Sequence, residues 1–325
     1  MNLGLYFDLR NPPAWQREWT HVYARILELC EEADRRGIHS LWFSEHHGFE
    51  DGYLPQPLTF AAAAAARTRH ARIGTSVVIA GLRPAALIAE EAAVVDIVSG
   101  GRLELGLGAG YRQPEFDLYG VDGRRPHAAL FDRIEALRRL WAEGAVTPPP
   151  VQERVPIWAG VGGPRSAHRA GRLGEGLMRI SADLARHYRE GLAAGGHDPA
   201  AARIIGPANV LLSDDPERDW PVVRRHLAYQ WDSYARYRVE GTDAPLPPPI
   251  DPEGWRERGI ERGLMAGFAL ATPEEAASRL LAATDGIGAE TVYVWATIAG
   301  LPDELVERNV ELAADLAQRL AAPEA

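Results

Sequence analysis

Short apolar runs alternate along the chain with longer stretches in which apolar residues recur at i, i+3 and i+4. The runs read as strands: LGLYFD (3–8), SLWFSE (40–45), RIGTSVVIA (72–80), RLELGLGA (102–109), VPIWAGV (155–161), GLMRI (176–180), RIIGPANVLL (203–212) and TVYVWAT (291–297). Most are apolar at nearly every position, as expected of strands buried on both faces. Between them, YARILELCEEADRRG reads as a helix ended by Gly37 and RIEALRRLWAEG as one ended by Gly144. ATPEEAASRLLAAT opens with Thr272 at the N-cap, Pro273 at the first helical position and Glu275 placed for a capping box.

Eight strands, each followed by helix, predict an α/β fold with a parallel sheet. That many units in one chain favour a closed (β/α)8 TIM barrel, one domain over 1–325, rather than an open doubly wound sheet. Chemistry in such a barrel sits at the C-terminal ends of the strands. One stretch breaks the rhythm. RVEGTDAPLPPPIDPEGWRERGIERG (238–263), between strands seven and eight, is rich in proline, glycine and charge. Loops of this length are uncommon unless they act as lids or are disordered. The expectation is that 241–262 covers the substrate pocket, with Trp231, Tyr234 and Trp255 forming an apolar wall; the near-helical spacing of Trp231 and Tyr234 in HLAYQWDSYARYR equally suits plain packing.

Composition removes several chemistries. Among 325 residues every basic one is arginine, so a Schiff-base lysine and a Walker A lysine are both excluded. The single cysteine, Cys30, cannot form an internal disulfide or a multi-cysteine zinc site, and it falls on an apolar helical stripe as a core thiol would. Net charge is −10 with the arginines scattered, which argues against a nucleic-acid partner. No apolar run approaches the ~20 residues of a membrane span, and nothing at the start resembles a signal peptide. The expectation is a soluble, cytoplasmic protein.

Candidate chemistry begins with SEHHGFEDGY, where Glu45, His46 and His47 follow the second apolar run. A barrel metal site needs ligands converging from several strands, and no other expected strand contains a histidine. Adjacent strand residues also point to opposite faces, so a metal is not expected. Alternation places Leu41 and Phe43 toward the helices and Ser44 and His46 on the other side. His46 is therefore expected at the barrel mouth and His47 nearer its rim. The ordinary alternative is a histidine satisfied by neighbouring backbone.

GLGAGY carries glycines at 106, 108 and 110, the wrong spacing for a dinucleotide fingerprint, but glycines at a strand end admit something large close to the backbone. WAGVGGPRSAHRAGRLGEG ends a strand in Gly160, Gly162 and Gly163, then opens a helix at Pro164 with Arg165 and Ser166. Free N–H groups, a hydroxyl and a guanidinium together suit a phosphate, although a plain glycine-rich loop would look the same. Arg179, ending strand six, offers charge to an anionic substrate or cofactor tail; its ordinary alternative is a rim ion pair.

Taken together, SEHHGFEDGYLPQPLTFAAAAAART, the block RIGTSVVIAGLRPAALIAEEAAVVDIVSGGRLELGLGAGYRQPEFDLYGVD and PIWAGVGGPRSAHRAGRLGEG resemble the bacterial luciferase-like superfamily of flavin- and deazaflavin-dependent oxidoreductases. The likeness is clear over 1–180 and fainter to ATPEEAASRLL and the last strand. It implies a barrel with FMN, or coenzyme F420, across its C-terminal mouth. His46 matches the histidine near the reacting edge of the ring, preceded by Glu45 where relatives carry Glu or Asp, with His47 beside it. Ser76–Val77 matches a bulge that often holds a non-prolyl cis peptide supporting the ring. Gly108, Gly110 and Tyr111 belong to the same cofactor surround, and Gly160, Gly162, Gly163, Arg165 and Ser166 to its phosphate loop. This chain has Ala109 where FMN-binding members often carry arginine, so Arg124, Arg125 or Arg165 would have to serve.

The EHH sequence leans toward FMN, and GAG in place of GRG leans toward F420. The leading expectation is an FMN-dependent monooxygenase, with reduced flavin from a separate reductase, O2, a small organic substrate and His46 as acid/base. Arg179, Trp231 and Tyr234 would face that substrate. An F420-dependent hydride transfer is the second reading and a non-catalytic flavin-binding protein the third. Relatives commonly form homodimers through barrel helices.

Overall fold

Each of the eight apolar runs folds as strand, and the strands join edge to edge through parallel ladders. The computed structural model describes residues 1–255, 259–260 and 265–321. In chain order the elements are β1 (Asn2–Phe7), α1 (Trp19–Arg35), β2 (Ser40–Phe43), α2 (Pro57–Arg67), β3 (Arg72–Thr75), β4 (Val78–Ile79), α3 (Ala85–Ser99) and β5 (Leu103–Gly108). Then come α4 (Gln113–Tyr119), α5 (Pro126–Ala142), β6 (Ile157–Gly160), α6 (Pro164–Arg172), β7 (Gly176–Met178), α7 (Ala182–Ala194), β8 (Ile204–Pro207) and β9 (Val210–Leu212). The chain ends with α8 (Pro216–Val239), β10 (Ala269–Ala271), α9 (Pro273–Thr284), β11 (Ala289–Trp295) and α10 (Asp303–Ala321).

The sheet runs β3-β2-β1-β11-β8-β7-β6-β5-β4, and β3 also pairs with β5, so it closes into a barrel. β3 and β4 share one position in that ring: β5 meets β3 at Ile73↔Leu103 and β4 at Ile79↔Gly108. The expected strand 72–80 is thus broken at Ser76–Val77, whose peptide bond is cis. The expected strand 203–212 is broken as well. Pro207 has no N–H for the ladder, and the chain leaves the barrel there. It continues as β9, which pairs with β10 in a separate two-stranded sheet.

The barrel interior is filled by indoles. Trp42 and Trp158 are fully buried, and any side chain at Gly74 or Gly176 would collide with their rings. Burial of an aromatic of this kind stabilises by roughly 1.5–3 kcal/mol. The helices end where the sequence indicates, with Gly37 and Gly144 in the left-handed region at φ +80 and +66. At α9 the capping box forms: Glu275 N–H donates to the Thr272 hydroxyl at 3.3 Å, and the Glu275 carboxylate accepts from Thr272 N–H at 3.0 Å. Cys30 is buried, and burial pushes its thiol pKa up, as for an inert core thiol. No described helix is long and apolar enough to cross a membrane.

Candidate active site

Parallel closure sends every strand's C-terminal end to one face, and the loops there surround a cavity of about 540 Å³. Its lining draws Tyr6 from β1, Tyr293, Val294 and Trp295 from β11, and Pro207 with Ala208–Val210 from the broken seventh strand. His46, Ser76, Tyr111, Arg179 and Tyr234, all expected at the site, border the same space.

His46 reaches it because Glu45 pins the loop after β2. The Glu45 carboxylate accepts from Ile79 N–H at 2.6 Å, pairs with the Arg83 guanidinium and lies 2.8 Å from His47 Nε2. These bonds tie the β2 loop to β4 and turn the odd-numbered positions outward. Glu45 and His47 are consequently buried away from the cavity, a correction to the expectation that they share the chemistry or reach the rim. Tyr119 closes over His47 with ring centroids 4.8 Å apart. The His46 side chain keeps 14% exposure, with its ring packed against Tyr53 and Phe49 at 4.5 and 4.8 Å. Its Nδ1 has no hydrogen-bond partner among the described residues and stands 3.5 Å from the buried Glu115 carboxylate.

A row of phenols runs beneath the mouth. The Tyr6 and Tyr53 hydroxyls are 2.6 Å apart, and those of Tyr53 and Tyr234 are 2.8 Å apart. Burial pushes all three pKa values up, so they remain neutral donors at physiological pH. Across the cavity, the Tyr293 hydroxyl lies 2.8 Å from Ser76 Oγ.

The cofactor-loop residues are distributed differently from the expectation. Gly108 and Gly160 lack side chains because Val77 fills that space, where a Cβ at either position would meet its methyl groups. Gly110 turns the chain at φ +73 beside Ile79 and Phe116, which leaves Tyr111 at the cavity. Beyond β6, Gly162 and Gly163 face open space ahead of the α6 N-terminus. Arg165 is exposed there, with Ser166 half-buried, and neither borders the cavity. Arg125 is exposed at the start of α5, and Arg124 is held by Asp122 at 2.8 Å.

Of the expected wall, Tyr234 lines the cavity. Trp231 and Trp255 instead pack edge-to-face on each other, with centroids 6.0 Å apart. Residues 256–258, 261 and 262 of the expected lid lie outside the described residues. The chain returns over the cavity at Ala266 and Gly267, where Asn209 Nδ2 donates to the Ala266 carbonyl at 2.9 Å. Asn209 Oδ1 also accepts from Trp295 Nε1 at 3.1 Å. Tyr6, Tyr293 and Trp295 were missed from the sequence, although the alternation that places His46 applies equally to β1 and β11. No cluster of three or more metal-ligating side chains occurs among the described residues.

The sequence profile of the luciferase-like monooxygenase family matches residues 1–319. The oxygenase component of the flavin-dependent trigonelline monooxygenase of Acinetobacter baylyi is 32% identical over 167 residues, 46% of this chain and 46% of that protein. An F420-dependent glucose-6-phosphate dehydrogenase of Kineococcus radiotolerans is 30% identical over 220 residues, 59% of this chain and 65% of that protein. The chain spans about half the length of the first of these curated relatives and just under two thirds of the second. The crystal structure of monooxygenase RslO1 from Streptomyces bottropensis superposes with a TM-score of 0.81 at 26% identity, covering 99% of this chain and 100% of that one.

Proposed function

Because the chain belongs to the luciferase-like monooxygenase family, we propose that its barrel-mouth cavity binds reduced FMN and oxygenates a small organic substrate with O2. The observation that carries this reading is His46, an imidazole at the mouth of an aromatic cavity, whose buried Nδ1 makes no hydrogen bond among the described residues. The site fits the group. Its volume of about 540 Å³ is in the range of cofactor pockets. The open space at Gly162 and Gly163 leaves the α6 N-terminus accessible to a phosphate. Ser76 Oγ and the backbone around Val77 would support the ring, and Arg165 and Ser166 the phosphate. When bound, reduced FMN supplies the electrons that activate O2.

The chain's own groups do the rest. His46 holds or gives a proton at the cavity wall. Tyr6, Tyr53 and Tyr234 stay protonated as donors, while Ile180, Val210 and Trp295 keep water out. The described residues 241–255, with Ala266 and Gly267 at the cavity, act as the cover.

A separate flavin reductase provides the reduced cofactor. The protein pairs with a second copy through α3, where Leu87, Val94 and Val98 stay 42%, 49% and 44% exposed on one face. Sedimentation showing a monomer would refute that pairing.

Coenzyme F420 with hydride transfer is the second reading, favoured by Ala109 where arginine would reach an FMN phosphate. Anaerobic titration with FMNH2 followed by O2 tests the first. Binding and oxygen consumption are expected; neither with any flavin would refute it.

A further inference from the structure

The chain carries 45 Asp and Glu residues against 35 basic ones, yet no carboxylate lines the cavity among the described residues. Two guanidinium groups do. Arg179 follows β7, and Arg279 projects from α9 beside Leu280 and Ala283. The buried arginines Arg10, Arg83 and Arg112 are neutralised by Asp51, Glu45 and Glu240, and Arg138 by Glu175, whereas arginines without a carboxylate, such as Arg125 and Arg165, lie exposed outside the cavity lining. Arg179 and Arg279 make no hydrogen bond or ion pair with the described residues. Two unpaired cations facing one cavity in an acidic protein are a charge-complementary trap for an anion.

We propose that Arg179 and Arg279 jointly hold the carboxylate of an organic-acid substrate whose apolar body packs on Trp295, Ile180 and Val210. This rests on the reading of the cavity as the place where reduced FMN and the substrate meet. A cofactor phosphate is the competing source of the same chemistry. It is disfavoured because Gly162 and Gly163, open at the α6 N-terminus, are not among the residues lining the cavity that both arginines face. The guanidinium fork suits a carboxylate's two oxygens, and the aromatic lining suits a ring.

The test measures calorimetric binding of benzoate and benzamide to the full-length protein and to Arg179→Gln and Arg279→Gln. Benzoate should bind the unmodified protein about tenfold more tightly than benzamide, and each substitution should erase the difference. Equal binding of acid and amide, or no benzoate binding, overturns the proposal. FMN and F420 are titrated into the same proteins, and their affinities should stay within about twofold. A tenfold loss for either cofactor would assign the arginines to its anionic tail and likewise overturn the proposal. If the unmodified protein binds no FMN at all while the acid preference holds, the cofactor reading alone fails.

Discussion

Arg10 Nε donates to Asp51 Oδ2 at 2.6 Å, and both side chains are fully buried. Gln230 Oε1 accepts a second N–H at 2.9 Å and the Ser233 hydroxyl a third, so one guanidinium joins the loops after β1 and β2 to α8. Burial alone would lower the Arg10 pKa, but Asp51, with smaller contributions from Tyr234, Tyr53 and Asp8, more than reverses this and raises it. Breaking such a pair leaves an uncompensated buried charge, which typically costs about 3–5 kcal/mol. Asp51→Asn should destabilise by about that much in urea unfolding. A loss under ~1 kcal/mol would show that the pair is dispensable.

The two adjacent histidines should separate chemistry from stability. His46→Ala removes a ring at the cavity and should lower kcat/KM by roughly 10²–10⁴ with little change in Tm. His47→Ala strips the buried Glu45 of a partner and should cost about 1–3 kcal/mol of stability. Its kinetic effect should be smaller than that of His46→Ala. The reverse ranking in kinetics would move the chemistry to His47.

His226 should make stability fall in mild acid. Its Nδ1–H donates to the Ala299 carbonyl at 2.9 Å. Burial lowers its pKa, the Ala299 bond offsets part of that, and the charges of Arg17 and Arg225 lower it further. The folded protein therefore keeps His226 neutral while the unfolded chain takes up a proton below about pH 6.5. Stability is present above that pH and lost as pH falls toward the folded value. Unfolding free energies at pH 7 and 5 should differ less in His226→Asn than in the unmodified chain. Some slope should remain, because burial, then the charge of Arg72, also lowers the pKa of His39. Identical slopes would exclude His226 as a contributor.

The barrel was legible because strands buried on both faces write themselves as continuous apolar runs. β10 was not, since three residues ahead of a helix cap carry no period. Pro207, which ends β8, lay unread inside the expected strand 203–212. Alternation found His46 and would have found Tyr6 and Trp295. The Arg10 network could not be read, because its members lie 41 to 223 residues apart. Gly108 and Gly160 show in the sequence only that a side chain is missing; that Val77 fills the gap is a fact of the fold.

Replacing 243–252 with a Gly-Ser linker should leave FMN affinity intact and lower the product formed per flavin oxidised, as expected of a cover that excludes water. Unchanged coupling would show the segment to be incidental.

Whether the cavity holds FMN is decided by competition between cofactors. Protein at micromolar concentration is equilibrated anaerobically with FMNH2 and reduced F420 at equal concentrations, and the retained species is identified by absorbance and fluorescence after separation. FMN should be retained. Retention of F420, with quenched fluorescence and no bound FMN, would contradict it.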